Sequence, residues 1–197
     1  MTRYQFLRVS GWGLIGAAVC LLLTFLPARA VPFGVEKAPF FIAILLITLG
    51  QLGLDLRQAD RADPRARLAI RIGMAGGAAG LVSHVAWVLE MEQGRTLMNF
   101  ALAIMFAGLF GFGVMTWPAR LRPSGSGWAI LAGLWWPLIM LSSYLYHRAT
   151  GQWLSVPGWL SFAMFLGMSV GLAGLGYELQ ASARPHILDQ QKGSPHV

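Results

Sequence analysis

The chain has 197 residues, of which 56% are hydrophobic and only 12% are charged. About a quarter of the residues of a soluble globular protein are charged, so this composition excludes an ordinary soluble domain. The formal net charge is +7, but the basic residues lie between apolar segments, which argues against a nucleic-acid-binding protein. Basic residues in such positions are typical of the topology signals of a membrane protein.

Six uncharged apolar segments follow one another along the chain. They span residues 9–27, 38–54, 72–89, 96–117, 127–146 and 156–177. Each is about as long as the roughly 20 residues that a helix needs to cross a bilayer. We therefore predict an all-α, polytopic membrane protein. Residues 1–180 are expected to form one bundle of six transmembrane helices with short loops, and residues 181–197 a polar, disordered tail.

The distribution of the basic residues predicts the orientation of the bundle. With the amino terminus inside, eleven of the 15 Lys and Arg residues fall on the inner side. The other four are Arg29, Lys37, Arg95 and Arg148. Both termini are therefore expected in the cytoplasm, and the chain in a bacterial inner membrane.

The first segment leaves one processing question open. Arg3 and Arg8, the apolar residues after them and Pro27-Ala28-Arg29-Ala30 also resemble a secretory signal with the A-x-A spacing of a cleavage site. The apolar segment is longer than the about 7–15 residues of a typical signal. A retained first helix is the working hypothesis, and cleavage would leave five spans.

Glycine spacing predicts the faces through which the helices pack. Glycines recur at steps of three and four residues in the third and sixth spans, at Gly73, Gly76, Gly77, Gly80, Gly167, Gly171 and Gly174. Small residues let two helix backbones approach closely. The alternative is that these stripes line a permeation path.

The single cysteine, Cys20, lies in the first span and is interpreted as a small packing residue, because alone it forms no intrachain disulfide.

The few polar side chains in the spans concentrate toward the outer side. His84 lies in the outer third of the third span, Asn99 at the start of the fourth, and Tyr144 and His147 at the end of the fifth. An ionisable group within a span is costly to bury, so His84 is a candidate contact for a proton or a substrate. Two other hypotheses for His84 are a neutral imidazole that hydrogen-bonds a neighbouring helix and a metal or haem b ligand partnered by His147.

The sequence argues against most membrane enzymes. No predicted span contains an aspartate, whereas intramembrane aspartyl proteases need two, and the His-Glu-x-x-His motif of zinc proteases is absent. Glu90 and Glu92 in an outer turn remain candidate acids or bases, although most such loop residues are simply solvated.

One segment resembles part of a known family. Leu26-Pro27, Gly34 and Pro39-Phe40-Phe41 precede an apolar run that ends at Gly50. This order resembles the first hairpin of the small membrane subunits of tripartite tricarboxylate transporters. Those subunits usually have four spans, whereas six are predicted here, so the resemblance assigns no family to the chain.

The expected function is that of a non-enzymatic small subunit or accessory component of a transport or respiratory-type membrane assembly, contacting a small solute or a proton near His84. Its expected partners are the lipid bilayer and either other membrane subunits or further copies of itself, without nucleic acid. Two alternatives stay open. One is a haem- or quinone-associated redox protein that uses His84 and His147, and the other is a membrane enzyme with an outer-leaflet site around His84, Glu90 and Glu92.

Overall fold

The structure is a computed structural model that describes residues 2–24, 37–58, 64–117 and 124–183. Nearly all of these residues are helical, and no strand occurs among them. The helices are α1 (Arg3–Leu23), α2 (Ala38–Gln58), α3 (Pro64–Val88), α4 (Gly94–Thr116), α5 (Ser124–Thr150) and α6 (Gly158–Ser182). All six are long and apolar enough to cross a membrane. The prediction of an all-α chain with six helices of spanning length is therefore confirmed.

Several helices extend beyond the apolar segments from which they were predicted. α2 continues past residue 54 to Gln58, and α3 begins at Pro64 instead of residue 72. Proline is well tolerated in the first turn of a helix, and long charged side chains can reach water from a helix end. The expectation that no span contains an aspartate is consequently wrong, because Asp55 lies within α2. The cleavage motif at 27–30 and the tail beyond residue 183 lie outside the described residues.

A tight turn joins α3 to α4. The amide of Glu90 donates to the carbonyl of Trp87 at 3.1 Å, and the amide of Met91 donates to the carbonyl of Ala86 at 3.0 Å. This pair of bonds is a Schellman motif, in which the residue after the helix adopts a left-handed conformation and is usually glycine. Glu90 occupies that position with φ 57°.

The six helices form a closed ring. Each helix packs against its neighbours in the chain, and α6 returns to pack against α1. Successive helices are antiparallel, so the ring has two distinct ends. The Asp55 end contains the first residues of α1, α3 and α5 and the last residues of α2, α4 and α6. The His84 end contains the opposite termini and the α3–α4 turn.

Aromatic side chains fill part of the interior of the ring. The indole of Trp136 in α5 lies 6.1 Å from the ring of Phe40 in α2, 6.1 Å from Phe106 in α4 and 5.9 Å from Phe165 in α6. We call these four side chains the aromatic core. They connect four of the six helices, so aromatic packing links parts of the ring that are distant in sequence.

Close backbone contacts at glycines hold neighbouring helices together. A Cβ atom on Gly76 would lie 2.5 Å from the amide nitrogen of Met105 in α4, and one on Gly171 would lie 2.5 Å from the amide nitrogen of Ala132 in α5. At these positions only glycine permits the observed distance between helices.

The other glycines of the two predicted stripes are less uniform. Gly77 faces the side chain of Thr48, Gly167 faces Trp135 and Gly174 faces Trp128. Gly73 faces Gln51 in α2 and lies against α4, whereas a Cβ atom on Gly80 would meet its nearest neighbours at an ordinary 3.6 Å. The stripes therefore contact side chains of several helices as well as backbone.

Candidate functional site

His84 is enclosed by aromatic rings at the interface of α2 and α3. Its residue surface is 2% exposed. The imidazole centroid lies 5.5 Å from the ring of Phe41 and 6.0 Å from that of Phe40, both in the first turn of α2. Trp87, one turn further along α3, lies nearly perpendicular to the imidazole, with the ring centroids 5.4 Å apart. We call His84 and these three rings the His84 enclosure.

Polar contacts of the His84 enclosure come from the residue that precedes α2. The ammonium nitrogen of Lys37 lies 4.5 Å from the centroid of the Trp87 ring, within the range of a cation–π interaction. By contrast, Nδ1 of His84 is buried and finds no hydrogen-bond partner among the described residues. The imidazole therefore retains a nitrogen that can exchange a proton or bind a small polar group.

Asn99 is connected to the His84 enclosure through the aromatic core. The backbone carbonyl of Asn99 in α4 accepts a hydrogen bond from Nε1 of Trp136 at 3.3 Å. Trp136 packs against Phe40, which in turn packs against His84. The contribution of Asn99 is thus a backbone acceptor that orients an indole, and the structure gives no contact between the Asn99 side chain and His84.

Tyr144 and His147 lie at the His84 end but in a different environment. The phenol of Tyr144 is exposed. The imidazole of His147 stacks on Trp153 with the centroids 4.2 Å apart and the planes nearly parallel. In the helix ring, α4 lies between α3, which carries His84, and α5, which carries His147. His84 thus contacts Phe40, Phe41 and Trp87, whereas His147 contacts Trp153.

A metal-binding cluster is not found in the described part of the chain. No group of three or more His, Cys, Asp or Glu side chains is positioned there to hold an ion. Glu90 and Glu92 are both exposed in the α3–α4 turn. Neither glutamate contacts His84 through any of the hydrogen bonds or ion pairs of the described residues.

A second polar cluster lies at the Asp55 end and was missed by the sequence analysis. Asp55 in α2 accepts a hydrogen bond from Nε of Arg67 at 3.2 Å, and its other oxygen lies 3.5 Å from Nε of Arg71. One turn earlier in α2, the fully buried Gln51 donates to the backbone carbonyl of Met105 at 3.0 Å. The spacing of four residues between Gln51 and Asp55, and between Arg67 and Arg71, is the signal that would have predicted two facing pairs.

An apolar pocket of about 250 Å³ lies between α5, α6 and the loop that joins them. Its walls include Trp135, Leu138, Leu160 and Met164, and Ser142 and Ser155 contribute hydroxyl groups. No acidic, basic or histidine side chain lines it. The pocket therefore offers shape and apolar contact without groups for acid–base chemistry.

Comparison of the chain with models of protein families, with curated proteins and with solved structures finds no match. The geometry of the chain itself, chiefly that of His84 and its enclosure, is therefore the basis for a function.

Proposed function

We propose that this chain is a multi-pass protein of a bacterial inner membrane, with both termini in the cytoplasm. In this proposal it works as a non-enzymatic component of a transport or respiratory-type membrane assembly. His84 is its contact for a proton or a small polar solute, and the other subunits of the assembly supply the remaining chemistry.

The surface of the bundle supports insertion into a membrane. Large apolar side chains point outward along the helices, including Val82, Leu141 and Leu145. Soluble monomers rarely expose extensive apolar patches. Exposed tryptophans also occur toward both ends, with Trp117 at the Asp55 end and Trp153 at the His84 end. Indole rings are enriched at this level of membrane proteins, where the lipid headgroups begin.

The charges of the described residues support the proposed orientation. Six arginines lie toward the Asp55 end: Arg3, Arg8, Arg57, Arg65, Arg67 and Arg71. Three basic residues lie toward the His84 end: Lys37, Arg95 and Arg148. Cytoplasmic segments carry an excess of Lys and Arg, so the Asp55 end is assigned to the cytoplasm and the His84 end to the outer side.

The proposed role of His84 depends on one observation: its Nδ1 atom is buried and has no hydrogen-bond partner among the described residues. An ionisable side chain inside a membrane helix costs free energy, and a purely structural histidine would be expected to use both ring nitrogens in hydrogen bonds. The aromatic rings leave little room beside the imidazole. A proton, or a solute small enough to displace one ring, is therefore the ligand that fits this enclosure best.

Substitution of His84 tests the proposal. His84→Phe fills the enclosure with a ring of similar size but removes both nitrogens, whereas His84→Asn retains a polar group near the position of Nδ1. We expect the His84→Phe chain to accumulate normally, because the enclosure is already aromatic, but to fail to restore the phenotype of a strain that lacks the gene. His84→Asn should restore it in part.

The control is Val82→Ala, which changes an exposed side chain two residues earlier in α3 and should behave as the unmodified chain. Purification in mild detergent, with and without the substitution, measures in parallel which subunits remain associated. Full function of the His84→Phe chain at normal abundance would refute the role of His84. Recovery of the functional protein as a single species without other subunits would refute the proposed assembly.

A further inference from the structure

Two arginines at the Asp55 end share a single carboxylate. The oxygens of Asp55 are occupied by Nε of Arg67 at 3.2 Å and Nε of Arg71 at 3.5 Å. The side chain of Asp55 is 11% exposed, whereas those of Arg67 and Arg71 are 32% and 55% exposed. One negative charge thus lies beneath two positive charges, and the two guanidinium groups are the part of the cluster that reaches the surface.

The geometry holds the two guanidinium groups side by side. Arg67 and Arg71 are four residues apart in α3, so their side chains leave the same face of the helix. The Nε atom of each arginine faces a carboxylate oxygen of Asp55. The terminal Nη groups of both arginines make no hydrogen bond within the described residues. These outer groups are planar forks of donors, the arrangement that binds phosphate oxygens in pairs.

The local charge remains positive even when the loop between α2 and α3 is included. Residues 55–71 contain five arginines (Arg57, Arg61, Arg65, Arg67 and Arg71) and three aspartates (Asp55, Asp60 and Asp63). The segment therefore has a net charge of +2. Asp55 compensates one of the two positive charges of Arg67 and Arg71. An anion bound to both arginines compensates the other.

We propose that Arg67 and Arg71, oriented by Asp55, bind the phosphate of an anionic phospholipid headgroup. The cluster lies where α2 ends and α3 begins, at the level of the headgroups when the six helices span a bilayer. The cytoplasmic leaflet, to which the Asp55 end is assigned, is the one whose anionic lipids attract basic residues near the membrane surface. This inference rests on the proposed membrane insertion and not on the role of His84.

Native mass spectrometry of the chain in detergent tests the inference. The probes are phosphatidylglycerol, phosphatidylcholine and inorganic phosphate, each added at increasing concentration. The unmodified chain should bind phosphatidylglycerol in preference to phosphatidylcholine. In Arg71→Gln this binding should weaken about tenfold, as expected for the loss of one charge-assisted contact. Arg71→Lys, which keeps the charge but loses the fork, should fall between the two.

Arg148→Gln removes an equal charge at the His84 end and is the matched control. It should bind phosphatidylglycerol as the unmodified chain does. Equal weakening in Arg148→Gln and Arg71→Gln would overturn the site, because it would reveal attraction to net charge alone. Unchanged binding in Arg71→Gln would overturn it as well. Inorganic phosphate that displaces the lipid at similar concentration would overturn the assignment to a lipid.

Two further measurements show whether a variant has failed to fold and whether the chain has failed to insert into a membrane. The thermal unfolding midpoint of each variant in detergent shows whether it is folded, and Arg71→Gln should stay close to the unmodified chain because the Arg71 side chain is largely exposed. Recovery of the chain from the soluble fraction of cells would refute the proposed membrane insertion, whereas the lipid-binding results address the arginine pair alone.

Discussion

The sequence predicts the importance of some side chains of this protein and not of others. His84 was a candidate from sequence because it is the one histidine within an otherwise uncharged apolar segment. Its neighbours Phe40 and Phe41 belong to another helix, so the aromatic enclosure depends on packing and could not be predicted. Asp55 was missed for a different reason. It follows the apolar segment that defined the span, and only the helix boundary at Gln58 assigns it to α2.

Glu90 provides a residue-scale prediction for stability. It adopts φ 57° at the end of α3, where a side chain with a Cβ atom costs about 1 kcal/mol relative to glycine. Glu90→Gly should therefore raise the free energy of unfolding in detergent by about that amount. Chemical or thermal unfolding monitored by circular dichroism measures it.

Glu92→Gly is the control for this effect, because Glu92 lies in the same turn, carries the same charge and has no positive φ. That substitution should leave stability unchanged or lower it slightly. Equal stabilisation by both variants would attribute the effect to the loss of negative charge instead of the backbone conformation.

At the scale of helices, apolar length predicted the elements well, and glycine spacing indicated the faces on which they pack. The spacing did not reveal which glycine in a stripe is essential. Gly76 and Gly80 lie one turn apart on α3, yet Gly76 faces the backbone of α4 while Gly80 faces flexible side chains of Ile44 and Leu102. That difference depends on the crossing of α3 and α4, which no local pattern in the sequence specifies.

A matched pair of alanine substitutions tests this distinction. Gly76→Ala places a methyl group 2.5 Å from the amide nitrogen of Met105, so the helices must separate, and we expect destabilisation by about 1–3 kcal/mol. Gly80→Ala meets nothing closer than 3.6 Å and gains up to about 1 kcal/mol of helix propensity. The midpoint of thermal unfolding in detergent should therefore fall in Gly76→Ala and rise in Gly80→Ala. Equal destabilisation by the two substitutions would contradict the described packing.

For the whole molecule, the closure of the ring is what the sequence did not predict. α1 and α6 are the most distant helices in the chain, yet they pack together where Gly11 meets Gly176. Neither glycine belongs to a stripe that the sequence analysis selected. The ring separates the polar groups into an enclosure around His84 at one end and the Asp55 cluster at the other. In the proposed orientation these ends lie on opposite sides of the membrane.

The side of the membrane on which each end lies is tested most directly by cysteine accessibility. With Cys20 replaced by serine, single cysteines are introduced as Glu92→Cys in the α3–α4 turn and Ser182→Cys at the end of α6, both at exposed positions. A maleimide that cannot cross the inner membrane is then added to cells with a permeabilised outer membrane. We predict labelling of Glu92→Cys in intact cells and of Ser182→Cys only after the inner membrane is disrupted. The reverse pattern would contradict the orientation, and equal labelling of the two sites in intact cells would contradict a bundle that spans the membrane.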